Sequence, residues 1–254
     1  MTQPRYISAI VVLSLALTGE LTLGLSLGTR ALAQFKPPDF GTPRTTAGGA
    51  TRSDSCAVGQ TPLTALVPVP KKGSGPLGLT IQERPSFFLY LPKTSAQTAE
   101  FTLVDADFND VYRTMIPLSG QIGVVQFQLP PDAPPLEVGK MYQWFFNIVC
   151  EPRDRLRDAF VSAWIQRVEP DSALVGALSK ATPRQRPNVY AQAGIWQDTL
   201  EALSELRQTQ PMDVSLTSEW TNLLKSVGLE KISGGPPIKQ LSLNSQKPLQ
   251  LKGI

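Results

Sequence analysis

Histidine is absent from the chain, which is 254 residues long. That excludes Ser–His–Asp and Cys–His nucleophilic catalysis and every His-ligated metal centre, because each needs an imidazole as base or ligand. There is no Walker-type phosphate loop and no dinucleotide fingerprint in a strand-to-helix setting. Past residue 33 there is also no Gly-x-Ser-x-Gly nucleophile elbow. A strong excess of one charge is lacking too. With 24 Lys and Arg against 21 Asp and Glu, the chain has no bulk attraction for nucleic acid or an anionic membrane. Beyond residue 33 no apolar run approaches the roughly 20 residues needed to span a bilayer.

What is present begins with an export pattern. Arg5 precedes an apolar stretch from Ile7 to Leu17, and a second runs from Leu21 to Leu27. Ala31-Leu32-Ala33 then supplies the small-x-small pattern that a signal peptidase accepts. Glu20 between the stretches argues against a retained anchor, since a carboxylate near mid-bilayer costs several kcal/mol. Residues 1–33 are therefore expected to be a signal peptide. The mature chain would start at Gln34, work in the periplasm or outside the cell, and keep no stable membrane anchor. Cys56 and Cys150 are the two cysteines, and both lie in the exported part. An even count in an oxidising compartment favours a disulfide over two separate buried thiols.

Along the mature chain, residues 34–55 are rich in Gly, Thr, Pro and Arg without a hydrophobic period, and read as a flexible leader. From 56 to 170 the dominant period is two. Phe87–Leu91 is a β-former run between prolines, and Phe101 and Leu103 alternate with polar neighbours. Val111–Leu118 follows a polar tip and predicts a hairpin with that strand. Val125, Phe127 and Leu129 alternate with Gln126 and Gln128 before a proline-rich loop. Tyr142, Trp144, Phe146, Ile148 and Cys150 share one face of the clearest strand, and Ala159–Val168 reads as the last. The expectation is a mainly β protein with α: an antiparallel β-sandwich of about six to eight strands.

After Pro170 the period becomes helical. Ser172–Lys180 is a short helix, and Thr182-Pro183-Arg184-Gln185 has a capping-box layout opening a second that ends before Gly194. Trp196–Gln208 and Ser215–Val227 carry leucines and tryptophan at helical spacing, the latter stopping at Gly228. Residues 171–230 thus read as a small C-terminal helical segment of two to three helices, and 231–254 as a loose tail.

The order of aromatic and turn positions between Cys56 and Val168 resembles a mainly cyanobacterial, exported family, domain of unknown function 928. Pro85-Ser86-Phe87-Phe88-Leu89-Tyr90-Leu91-Pro92, Glu100-Phe101-Thr102-Leu103 and Leu136-Glu137-Val138-Gly139-Lys140 carry the resemblance. Tyr142-Gln143-Trp144, Val149-Cys150 and Trp164-Ile165-Gln166-Arg167-Val168 continue it. Tyr190, Gly194-Ile195-Trp196 and Asp198-Thr199-Leu200 are similar to the family's helical continuation. The resemblance brings no activity with it. Tyr190, Gly194 and Trp196 also look like the middle of one tetratricopeptide-type helical hairpin, whereas arrays of that kind need several stacked repeats.

The remaining chemistry is thin. Asp105, Asp107 and Asn109 copy the first half of a calcium loop, but Asp110 stands where glycine is needed and Ile116 where the bidentate glutamate belongs. A solvated hairpin tip accounts for them better. Arg153, Arg155 and Arg157 alternate with Asp154 and Asp158, which suits a charge-balanced surface loop more than an anion site. Trp144, Trp164, Trp196 and Trp220 sit on periodic apolar faces, so core packing is favoured over sugar stacking. No catalytic residue and no cofactor is assigned. The expected function is a non-enzymatic extracytoplasmic module that binds an envelope protein or polymer, and not nucleic acid. The alternatives are a glycan hydrolase using a carboxylate pair and a calcium-stabilised structural domain.

Overall fold

The computed structural model describes residues 34–37, 56–69, 75–234 and 238–243, all within the unit Ala31–Ile254. The expected export signal over 1–33 lies outside the described residues, as do most of the expected leader and the expected tail beyond 243. Eleven strands occur among the described residues. They are β1 (Ala57–Val58), β2 (Thr64–Ala65), β3 (Leu77–Thr80), β4 (Ser86–Leu91), β5 (Lys93–Thr94) and β6 (Thr98–Asp105). Then come β7 (Asp110–Pro117), β8 (Gly123–Gln128), β9 (Met141–Ile148), β10 (Ala159–Arg167) and β11 (Lys239–Gln240). Four helices follow β10: α1 (Ser172–Lys180), α2 (Arg186–Gln192), α3 (Trp196–Thr209) and α4 (Val214–Ser226). None of them is long and apolar enough to cross a membrane.

One sheet has five strands in the order β3-β10-β9-β6-β7, another four in the order β11-β8-β4-β2, and β1 pairs with β5. The β6–β7 hairpin and the β9–β10 pair are antiparallel, as the alternation suggests. β3 runs parallel to β10, and β11 parallel to β8, so the sheets are mixed and not purely antiparallel. There are also more strands than six to eight, and four helices where two to three were expected. The extra strands escaped periodicity for plain reasons. β1, β2, β5 and β11 have two residues each, too few to show a period. β3 is buried at all four positions and shows no alternation.

The two larger sheets share one apolar core. Phe87, Leu89, Val125 and Phe127 of the four-stranded sheet meet Phe101, Trp144, Phe146 and Ile165 of the five-stranded one. The Phe87 ring lies 4.8 Å from Phe101 and 5.5 Å from Trp144, edge-on to the indole. On the opposite face of β4, Phe88 is fully buried among Trp196, Leu200, Leu203, Trp220 and Leu223 of α3 and α4. β4 is thus apolar on both faces, and each such Phe stabilises the fold by about 2–3 kcal/mol. α1 and the residues before α3 cover the outer side of β3 and β10 through Leu77, Leu79, Trp164, Leu174 and Ile195.

Cys56 and Cys150 form a disulfide, with Cα atoms 5.3 Å apart, tying the start of β1 to the end of β9. Two segments reach further into the core than their composition suggests. Phe35, in the expected leader, is buried edge-on to Trp196 at 4.6 Å. Ile238 and Leu241, flanking β11 in the expected tail, are buried as well.

Candidate functional site

α3 organises the site. Gly194 precedes it at φ +75°, and a Cβ there would come within 2.7 Å of the Lys36 carbonyl oxygen, so the turn needs glycine twice over. The Trp196 indole N–H donates to the Leu66 carbonyl at 2.6 Å and fixes the first turn of α3 on the four-stranded sheet. Asp198, Glu201 and Glu205 then follow at helical spacing, so the three carboxyl groups lie along one side of the helix.

Asp198 is 3% exposed. Its Oδ2 accepts from the Thr80 hydroxyl at 2.7 Å and from the Ile81 N–H at 3.3 Å, whereas Oδ1 has no partner among the described residues. Burial pushes its carboxyl up to about 7, and the charge of Glu201 adds to this against the hydrogen bonds. Beside it, both polar ends of the buried Gln197 amide are also without a partner among the described residues.

Glu201 ends a directed hydrogen-bond chain. Gln208 Nε2 donates to Ser204 Oγ at 3.3 Å, and Ser204 Oγ to Gln126 Oε1 at 3.2 Å. Gln126 Nε2 donates to Ser86 Oγ at 2.8 Å, and Ser86 Oγ to Glu201 Oε1 at 2.6 Å. Every group donates toward the carboxylate, and such chains strengthen each member. Burial nonetheless raises the Glu201 carboxyl above its ordinary value, and Glu205 adds to the rise.

Glu201 and Glu205 face a half-open cleft of about 290 Å³, lined also by Gln82, Arg84, Gln128, Arg186, Tyr190 and Ala202. Arg84 reaches Glu83 at 3.7 Å and donates to the Ala133 carbonyl at 3.3 Å, and its buried Nε has no partner among the described residues. No ion pair among the described residues joins Arg84 or Arg186 to Glu201 or Glu205. Two cations and two anions therefore line one cleft without a direct ion pair between them. Burial raises the Tyr190 phenol, with Asp198 next in effect, which keeps it a hydrogen-bond donor.

The residues singled out from sequence lie elsewhere. Asp105 Oδ1 accepts from the N–H groups of Asp107 and Asn109, each at 2.9 Å, and Oδ2 accepts from Asn109 Nδ2 at 2.9 Å. Those bonds hold the Asp105 carboxyl below its usual value and close the β6–β7 turn, in which Phe108 takes φ +63°. No group of three or more His, Cys, Asp or Glu among the described residues could hold a metal ion. Arg155 pairs with Asp158 at 2.5 Å and with Glu100 at 3.4 Å, and Asp158 also accepts from the Cys150 N–H. It braces the loop beside the disulfide. All four tryptophans are at most 2% exposed and belong to the cores. Gly73, Gly75 and Gly78 match the glycine spacing of a dinucleotide loop by letters, but Gly78 lies inside β3 and opens no helix.

The model of the Domain of Unknown Function (DUF928) family matches residues 47–237. The chain belongs to the DUF928 family. The match takes in β1 to β10 and all four helices and stops short of β11, so the DUF928 unit contains the whole cleft. No curated protein and no solved structure matches the chain.

The cleft residues themselves were missed. Gln82 and Arg84 come from the β3–β4 connection, Gln128 from the end of β8 and Arg186 to Glu205 from helices, so no local motif marks them. The available signal was three carboxylates on one side of α3, between leucines that are buried on the other.

Proposed function

We propose that this DUF928 protein is a non-enzymatic, exported binding module that holds its ligand in the cleft between α2, α3 and the sheet ends. The single observation that carries this is the half-open cleft whose charged side chains remain unpaired across it. Charged groups held apart at a concave surface are positioned to meet a ligand's polar groups, since their desolvation is offset only when partners arrive. The absence of histidine and the bridged cysteines remove the familiar nucleophiles, which supports binding over catalysis. In this reading the two large sheets form a β-sandwich, residues 1–33 are removed on export, and the partner is an envelope protein or polymer in the periplasm or outside the cell.

The test is capture from an envelope extract by the exported protein and by its Arg186→Ala variant. Deleting residues 171–254 is not a clean control, because Phe88 and Val124 would lose the helices that cover them. A specific partner retained by the wild type and lost by the variant is expected. Recovery of the same partner by both would move the site elsewhere, and recovery of none would remove the reading.

A second reading, a glycan hydrolase, is favoured by one observation: Glu201 and Glu205 share the cleft, and the Glu201 carboxyl is raised. It requires release of new reducing ends from envelope polysaccharide, abolished by Glu201→Gln. No release would end it.

A further inference from the structure

We infer that the cleft binds one ring of an uncharged, hydroxyl-rich envelope polysaccharide, an assignment that rests on the binding reading above. Arg84, Arg186, Glu201 and Glu205 all line the cleft, so the lining has no net formal charge. A phosphate or a lone ammonium group would gain from one pair of side chains and lose against the other. A sugar hydroxyl both donates and accepts, and can therefore lie between a guanidinium and a carboxylate and satisfy both. Gln82 and Gln128 extend the same logic, because each amide offers two donors and an acceptor.

Glu201 is set for that role before any ligand arrives. Its Oε1 is fixed by Ser86, which Gln126 orients in turn, while Oε2 makes no hydrogen bond with a described residue. Preorganisation of this kind removes the ordering cost of a long side chain on binding. Tyr190 is the aromatic group of the lining, and Ala202 contributes a small apolar side chain between the two glutamates of α3. A volume of about 290 Å³ lies at the lower end for ligand sites, which fits one ring and its linkages more than a long segment. The cleft is half-open, so neighbouring rings of a polymer can run out of it.

The experiment is calorimetric titration of the exported protein with hexaoses of β-1,4-glucose, α-1,4-glucose and N-acetylglucosamine, and with a protein-free envelope polysaccharide fraction. Glycylglycine and inorganic phosphate are the charged probes. At least one neutral saccharide is expected to bind. Arg186→Ala and Glu205→Gln, both at exposed positions, should each weaken it about tenfold, the loss of one charge-assisted hydrogen bond. Arg153→Ala, on the loop beside the disulfide, should leave it unchanged. Saccharide binding that both cleft variants retain at full strength overturns the assignment. Glycylglycine or phosphate binding at the cleft without saccharide binding overturns the sugar class and leaves the binding reading standing. No binding by any saccharide also overturns the inference, while envelope capture decides the reading independently.

Discussion

Replacing Asp198 by asparagine tests whether a buried carboxyl governs how stability depends on pH. Folding lifts this group from its ordinary 3.8 to about 7, chiefly by burial, so the folded chain keeps a proton that the unfolded chain releases in between. The stabilisation is therefore fully present below pH 3.8 and is lost as pH rises through about 7. At about 1.4 kcal/mol per pH unit the interval amounts to about 4 kcal/mol at most. The amide of the Asp198→Asn variant cannot ionise. It keeps an oxygen to accept from Thr80 and places an N–H where the protonated acid has its O–H, so the two forms should agree within about 1 kcal/mol at pH 4. At pH 8 the variant should be the more stable by about 3–4 kcal/mol, read from urea unfolding of both proteins at the two pH values. A gap that is the same at both pH values, or a variant less stable at pH 8, would refute the reasoning.

Three further outcomes follow from the packing. Replacing Cys56 and Cys150 together by alanine releases a loop closed over a sequence separation of 94. It should cost about 4–5 kcal/mol on the chain-entropy model, seen as a lower urea midpoint, and an unchanged midpoint would contradict it. Gly194→Ala combines a left-handed backbone with a 2.7 Å approach to the Lys36 carbonyl, and should destabilise by about 1–3 kcal/mol in the same assay. Calcium at millimolar concentration should leave the melting temperature where chelator leaves it, because both Asp105 oxygens already accept hydrogen bonds within the turn. A calcium-dependent rise in calorimetry would reinstate the metal reading.

Much of the fold was legible because burial left a period. β6, β7, β9 and β10 stand within a residue or two of where alternation put them, and so do α1, α3 and α4, whereas α2 begins three residues after Pro183, behind a short 3-10 turn. Gly194 and Gly228 do take the left-handed conformation at the two helix ends where they were expected. Sheet direction was not legible. Whether β3 joins β10 parallel or antiparallel depends on contacts between residues 77–80 and 164–167, and neither segment's pattern encodes the other. Nor did composition reveal that Phe35 is buried, since one aromatic in a polar stretch carries no period.

The cleft shows the same boundary more sharply. Arg84 and Glu201 are 117 positions apart, and they share a lining because Phe88 and Trp196 dock α3 on β4. Those aromatics were readable as core, but the polar groups they carry into place were not, since a solvated glutamate and a cleft glutamate look alike in sequence. What separates them is Ser86, a buried hydroxyl at the start of an otherwise aromatic and aliphatic strand. A polar side chain at a fully buried position must find a partner, and here the partner is Glu201. Ser86 beside Phe87 and Phe88 was therefore the local anomaly that pointed toward the site, although it could not name the carboxylate on the helix above it.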